Sequence, residues 1–371
     1  MRLLSLFLLI LLLTACESQT GSQTRDTPVR VDQRMGGSPD PGFKRATAPR
    51  AFEFPRDHGA HPEFATEWWY FTGNLQSDQG QAFGYQFTLF RVGLKPGKPE
   101  PDSQWRAHQV YMGHLALSDI DAAEHLSAER FSRAAAGLAG ASLQPVRIWL
   151  GPWVIQGGGQ DLFPLKLRAA AEAFSIDMTI ERGGSPLVLQ GEQGLSQKGP
   201  EPGNASYYYS MTRLPTSGKV QVDDHSFDVE GYSWFDREWS SSALSKDQAG
   251  WDWFALQLDD GRDLMFYQMR DKQGKAQSYS RGVLVESSGR VHELSLENTQ
   301  LEALRSWKNA DGVEYPIQWS LVIPEYAIDL VIEAAFDDQE MRHTVHYWEG
   351  AVRVTGSHKG KGYLELSGYV P

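Results

Sequence analysis

From residue 52 onward, apolar positions recur at every second residue in short runs separated by Gly, Pro, Asp and Asn. A period of two is the signature of strands with one face turned to a core. The clearest case is the stretch 83–90, where Phe83, Tyr85, Phe87 and Leu89 share one face and Gly84, Gln86, Thr88 and Phe90 the other. A preceding aromatic run, Trp68-Trp69-Tyr70-Phe71, joins it through Gln76-Ser77-Asp78-Gln79-Gly80. Two such runs around a polar turn predict a long β-hairpin that carries Glu67 towards Gln86. Further strands are predicted over 110–117, 146–150, 162–170, 174–180, 187–191, 206–214, 220–222 and 227–232. A second series covers 253–258, 264–270, 278–285, 317–323, 328–335, 347–354 and 362–369. One helix is predicted around 127–136, where Ala, Glu and Arg replace strand formers. With no glycine-rich strand-to-helix turn and no regular alternation of the two, the chain reads as all-β.

The two series repeat one another. Trp69-Tyr70-Phe71, a turn with Asp78 and Gly80, and Tyr85-Gln86 are echoed by Trp253-Phe254-Ala255, Asp259-Asp260-Gly261 and Tyr267-Gln268. The ends match too: Val229-x-Gly231-Tyr232 stands against Leu366-x-Gly368-Tyr369. An internal duplication is expected, with one β-barrel or sandwich over 52–233 and a second over 234–371.

Before residue 52 the pattern changes. Arg2 precedes an apolar stretch, 3–13, that ends in Leu13-Thr14-Ala15-Cys16. This reads as a signal peptide over 1–15, too short to remain as a membrane span. The ending resembles a bacterial lipobox, so cleavage is expected before Cys16 and lipidation on its thiol. The alternative is an ordinary secretory signal with a chance cysteine. Cys16 is the only cysteine, which excludes disulfides and thiol chemistry elsewhere. Residues 16–51, rich in Gln, Ser, Thr, Gly and Pro, form a flexible tether with a reach of about 30 Å. Glu17 follows the cysteine where an Asp would signal inner-membrane retention, so anchoring at the periplasmic face of the outer membrane is expected. The net charge of −12 argues against nucleic acid as a partner.

Composition narrows the chemistry. Twelve Trp, 14 Tyr and 17 Phe with 22% charged residues describe an aromatic-rich globular protein. Gly231-Tyr232-Ser233-Trp234-Phe235 lacks the second glycine of a serine-hydrolase elbow, so Ser233 is expected to be structural. His58-x-x-His61-x-Glu63 and His343-x-x-His346 lack a zinc-enzyme spacing, and neither a metal nor a cofactor is expected. Asp236, Arg237 and Glu238 fall at the junction of the halves, where pockets commonly form. Charges in so Trp-rich a setting must pair or neutralise. They give either a carboxyl with raised pKa, able to act as a general acid, or an ion-pair cluster stapling the halves. Glu67 invites the same two readings, and Asp252 before Trp253 suggests a structural job repeated in the second half. His114 is either a satisfied core histidine or a proton carrier.

His61-Pro62-Glu63-Phe64-x-x-Glu67-Trp68-Trp69-Tyr70-Phe71, with Phe83-Gly84-Tyr85-Gln86-Phe87, resembles the opening of the AttH/CrtC lipocalin-like family. The likeness continues through Tyr111-Met112-Gly113-His114, Tyr207-Tyr208-Tyr209-Ser210 and Ser233-Trp234-Phe235-Asp236-Arg237-Glu238-Trp239. The family includes predicted secreted hydrolases and, more distantly, carotenoid 1,2-hydratases. The resemblance implies two tandem lipocalin-like barrels and an apolar, isoprenoid- or lipid-like ligand in an aromatic pocket. Glu67, Trp68, Trp69, Tyr70, Gln86, Tyr209, Trp239 and Trp253 are the candidate ligand contacts. Asp236, Glu238, Arg237 and His114 are the candidates for chemistry. Asp236 and Trp239 match the hydratase pattern, whereas Arg237 and Glu238 stand where its His and Asn are expected. A non-enzymatic role beside an ABC-type permease in export is the alternative.

Overall fold

A computed structural model describes residues 42–96, 108–159, 162–184, 186–242 and 244–370. The expected signal peptide 1–15, Cys16 and most of the tether lie outside the described residues. The first sheet takes β1 (Thr66–Ser77), β2 (Ala82–Gly93), β3 (Gln109–Asp119), β4 (Glu124–Arg133), β5 (Ala139–Leu143), β6 (Val146–Leu150), β7 (Trp153–Gly157), β8 (Leu165–Ala170), β9 (Phe174–Ile180), β10 (Leu187–Leu189), β11 (Leu195–Gln197), β12 (Ala205–Val222) and β13 (His225–Ser240). The second takes β14 (Gln248–Leu258), β15 (Asp263–Asp271), β16 (Arg281–Val285), β17 (Val291–Ser295), β18 (Gln300–Lys308), β19 (Glu314–Ile323), β20 (Ile328–Ala334), β21 (Glu340–Arg342), β22 (His346–Gly356) and β23 (Gly360–Leu366). The protein is all-β, built as two lipocalin-like β domains.

The strand orders display the duplication. One sheet begins β4-β3-β2-β1-β13-β12 and the other β17-β16-β15-β14-β23-β22. In each, a meander is closed by the last two strands of its half. Each sheet curls so that one face of its central strands encloses a core. Trp69, Phe71, Phe87 and Trp153 fill the first, and Phe254, Trp319 and Trp348 the second. Both barrel interiors are therefore packed with side chains. The opposite faces of β1, β2, β12 and β13 meet those of β14, β15, β22 and β23, burying a third cluster with Tyr70, Tyr208, Trp253 and Tyr363.

Three expectations change. The segment 127–136 is not a helix: Glu124–Arg133 pairs with β3 along its whole length. Its helix-forming side chains are overridden by tertiary contacts. Ser127 bonds His343 at 3.0 Å and Glu129 accepts from Thr344 Oγ1 at 2.6 Å. The first sheet runs on to Ser240, so the division placed at 233/234 falls inside β13, and the second sheet opens with β14 at Gln248. The end of the expected tether is pinned to the first domain: Phe43 and Ala46 are buried, and Ala48 accepts a hydrogen bond from Tyr207 at 2.9 Å.

At Gly84 the facing sheets leave no room for a side chain. A Cβ on Gly84 would lie 2.8 Å from both Ala351 Cβ and the Tyr363 hydroxyl. Gly84→Val is expected to wedge the domains apart and cost about 1–3 kcal/mol. Thermal unfolding reads this directly, and an unchanged Tm would show that the contact is loose.

Candidate functional site

Strand alternation sorts the aromatic runs into two sets. On β1, Glu67, Trp69 and Phe71 point into the first barrel, and Trp68 and Tyr70 point towards the second sheet. On β13, Phe235, Arg237 and Trp239 point inward, while Trp234, Asp236 and Glu238 face across the junction. Between the sheets lies a cleft of about 1100 Å³, counting its open mouth. Its walls are Trp68, Tyr70, Phe90 and Tyr208 from one sheet and Trp251, Trp253, Tyr267 and Tyr347 from the other.

Four carboxyls enter this aromatic space, Asp236 and Glu238 from β13, Glu349 from β22 and Glu365 from β23. Asp236 accepts hydrogen bonds from Ser210 Oγ at 2.5 Å and Trp234 Nε1 at 2.8 Å on one oxygen, and from the Tyr208 hydroxyl on the other. Burial pushes it up to about 7, outweighing those three donors. Glu365, bonded to Trp251 Nε1 at 2.8 Å, is also pushed up to about 7 by burial. Glu349 and Glu365 are direct cross-strand partners, which places their Cβ atoms about 5 Å apart. Burial, then repulsion from Glu365, holds Glu349 well above the usual carboxylate range. The Tyr70 hydroxyl donates to its Oε1 across the two sheets, and Oε2 has no hydrogen-bond partner. Glu238 is balanced by Lys198 at 3.4 Å. Burial alone would lower the lysine, but Glu238 and Tyr267 hold it above its ordinary value. The Lys198 ammonium sits 4.0 Å from the centre of the Tyr267 ring.

Glu67 stands elsewhere. The hairpin register sets it opposite Arg91, and sets Gln86 opposite Thr72, so Glu67 and Gln86 lie apart and on opposite faces. Turn position alone decides this, since a one-residue slip would exchange the faces. The Glu67 carboxylate is fully buried, gripped by Arg91 on one oxygen and Arg237 on the other, with the His61 amide at 3.0 Å. His61 stacks on Trp239 with ring centres 3.9 Å apart. Arg237 lies over Trp69 at 4.0 Å. This ion cluster ties the loop before β1 across one end of the first barrel. The second half repeats it: Asp252 bonds Arg270 at 3.0 Å and Tyr369 at 2.7 Å.

Of the expected site residues, Asp236, Glu238, Trp68, Tyr70, Gln86 and Trp253 line the cleft. Glu67, Trp69, Arg237, Tyr209 and Trp239 belong to the first barrel's interior. His114 stands behind the cleft, its Nδ1 2.7 Å from the hydroxyl of Tyr347. Ser233 is held by Tyr85 at 2.5 Å and Thr216 at 2.6 Å. The pattern reading missed Lys198, Tyr347, Glu349 and Glu365. A signal for the two glutamates was present: each is a lone acid inside an apolar strand, as in Tyr347-Trp348-Glu349-Gly350 and Tyr363-Leu364-Glu365-Leu366.

The raised acids predict a pH effect on stability. A carboxyl whose folded pKa exceeds its unfolded one favours the native state at low pH. That contribution is complete below about 4 and is lost as pH rises through about 7. For Asp236 alone the span from 3.8 to about 7 is worth about 4 kcal/mol. The double variant Asp236→Asn, Glu365→Gln is therefore expected to gain stability relative to wild type between pH 5 and 8, as urea midpoints would show. A constant difference across that range would mean that these acids ionise normally.

A family model described as AttH-like matches residues 45–369. Among solved structures, a protein assigned as AttH from Nitrosomonas europaea is 33% identical, with a TM-score of 0.78 over 87% of this chain and all of its own. Kievitone hydratase from Nectria haematococca is 14% identical, with a TM-score of 0.65 over 92% of this chain and 98% of its own. CghA is 12% identical, with a TM-score of 0.52 over the same shares. At those two identities the likeness is one of fold. No curated protein matches the chain.

Proposed function

The chain belongs to the AttH-like family, and from that premise we propose that it binds an apolar, isoprenoid- or lipid-like molecule between its two sheets and adds water to it. The observation that carries this reading is Asp236, a carboxyl raised to about 7 inside an aromatic wall. Near neutral pH such a group retains a proton to give. Transfer from Asp236 to an alkene carbon would leave a cation on the neighbouring carbon, which the faces of the surrounding rings stabilise. Water then adds to that carbon and returns a proton to a carboxylate of the cleft. That a structural relative is named a hydratase agrees with this chemistry. Serine-based hydrolysis gains no support, because Ser233 is buried and already committed to Tyr85 and Thr216.

The same reading has Cys16 lipidated and the folded part held by residues 17–41 at the periplasmic face of the outer membrane. Mass spectrometry of the mature chain would show the lipid on Cys16, and a non-lipidated N-terminus would remove this part.

The central test is what the cleft holds. Solvent extraction of the purified protein is expected to release an apolar molecule, and refilling the emptied protein should quench the fluorescence of Trp68, Trp251 and Trp253. The extracted molecule, or an unsaturated isoprenoid alcohol such as farnesol, should gain the mass of one water. Protein that is empty, and unresponsive to lipids and isoprenoids alike, would count against binding. A ligand that is held but never altered would leave a binding protein in place of an enzyme.

A further inference from the structure

Behind the cleft, the second sheet's Tyr347 is tied to a histidine and a glutamate of the first. Its hydroxyl lies 2.7 Å from His114 Nδ1, and His114 Nε2 lies 3.0 Å from Glu129 Oε1. The Glu129 side chain is 12% exposed, on the edge strand β4, and its other oxygen accepts from the Thr344 hydroxyl at 2.6 Å. Burial would raise this carboxyl, but its bonds to His114 and Thr344 hold it below the usual range. A carboxylate on Nε2 selects one tautomer: Nε2 carries the hydrogen and Nδ1 accepts from the Tyr347 hydroxyl. A base oriented by an acid and bonded to a hydroxyl that faces a pocket is the arrangement that activates hydroxyls in many enzymes.

On the cleft side, Tyr347 stands beside Glu349, close enough for each to perturb the other's ionisation. Glu349 is 1% exposed, and its Oε2 lacks a partner. With a ligand filling the cleft, a protonated carboxyl in this wall has no direct route for its proton to water. We propose that Tyr347, His114 and Glu129 form a proton relay that connects Glu349, at the back of the cleft, with solvent at the edge of β4. The assignment rests on the proposed acid chemistry of the cleft, in which a cleft carboxylate takes the proton that the added water releases; the relay lets Glu349 exchange protons with solvent while the ligand fills the mouth.

The relay carries a proton outward through a transient imidazolium, and the negative charge passes the other way, from Glu129 to Glu349. The Tyr347 hydroxyl passes its hydrogen to His114 Nδ1 as it takes one from Glu349. The imidazolium so formed gives up its Nε2 hydrogen to Glu129, which exchanges it with water. The reverse shift refills Glu349, and a half-turn of the imidazolium between shifts exchanges its two N–H positions, so that a solvent hydrogen travels on to Glu349. Around His114 the other facing groups are Phe90, with ring centres 5.5 Å apart, and the His343 imidazole at 5.9 Å. His343 is itself bonded to Ser127, and burial lowers its pKa. Around Glu349 they are Tyr70, Tyr347, Tyr363 and Glu365. Tyr347 is the only relay member that reaches the cleft; His114 and Glu129 act through it as positioning and transfer groups.

The test follows the Glu349 proton itself and requires no turnover. A protonated buried carboxyl has its own infrared carbonyl band, which shifts when its hydrogen exchanges for deuterium; loss of the band in Glu349→Gln assigns it. After rapid mixing with D2O, wild type is expected to exchange quickly. His114→Gln keeps the size and bonding of the imidazole but cannot pass a proton, and should slow exchange about tenfold or more with the band itself retained. Tyr347→Phe provides a second variant that breaks the same path should the first not fold. Exchange as fast in both variants as in wild type would overturn the relay and leave the acid chemistry standing. Absence of any protonated-carboxyl band in wild type would overturn both.

Discussion

Glu67→Gln is expected to cost about 3–5 kcal/mol of stability while the ligand cleft keeps its shape. The carboxylate has no solvent exposure and faces two guanidiniums with none either. Burial alone would raise its pKa, yet Arg91 and Arg237 outweigh burial and hold it well below the ordinary value. Removing the negative charge leaves two cations in a barrel interior without a counter-ion, which costs more than an intact pair contributes. Arg237 would keep Gly59 O and Trp68 O, and Arg91 would keep His61 O and Phe64 O. The frame survives, but the charge balance does not. The stabilisation by Glu67 is present above the carboxylate's unfolded pKa and is lost as pH falls through its lower folded value. Urea unfolding at pH 7, set beside ligand retention at a temperature where both proteins remain folded, reads the outcome. Stability lost with binding retained marks the cluster as structural. An unchanged midpoint would mean that the arginines are hydrated in solution, and a stable variant that cannot hold ligand would return Glu67 to the site.

Asp236→Asn is expected to do the opposite, sparing the fold and removing the chemistry. Asparagine has the shape of a protonated aspartate. Its carbonyl oxygen can accept from Ser210 and Trp234, and its amide can donate to the Tyr208 oxygen, so every neighbour keeps a partner. No acidic hydrogen remains. If Asp236 protonates the substrate, kcat should fall by about 10²–10⁴-fold with little change in ligand affinity. The rate in wild type should also decline as pH rises past about 7, where the acid form disappears. Steady-state rates on the substrate recovered from the cleft, measured across pH 5–9, test both statements. Wild-type turnover in Asp236→Asn would pass the role of acid to Glu349 or Glu365. Glu365→Gln is the comparison that separates them, because Glu365 is raised to a similar value from the other sheet.

Much of this architecture is local and was legible in the residues. Alternation at 83–90 specifies a strand with two different faces, and Gly80, at φ 88° in the turn, joins it to β1. The repeated order of aromatic run, turn and Tyr-Gln announced two halves whose strand orders coincide, although Trp69 lies inside its barrel and Trp253 in the cleft. A period of two, however, says only that two faces exist. Which of them meets the other domain depends on contacts far away in the chain. Tyr70 and Glu349 are 279 residues apart in sequence and share a hydrogen bond. Glu67 and Asp236 begin alike, as acids among tryptophans, yet adjoining strands turn one towards two arginines and the other towards an aromatic cleft. Burial raises a carboxyl's pKa, whereas a buried cation beside it lowers it, so their opposite ionisation follows from placement. The segment at β4 shows the same limit from the other side, since Ala, Glu and Arg prefer a helix until an open strand edge and a second domain are present to satisfy them. The sequence by itself therefore determined the all-β class, the duplication and the family, because these follow from side-chain order along the chain. Tertiary structure alone decided which acids are charged, which are protonated and where the cleft lies, because those depend on the charges and solvent that folding brings near or shuts away.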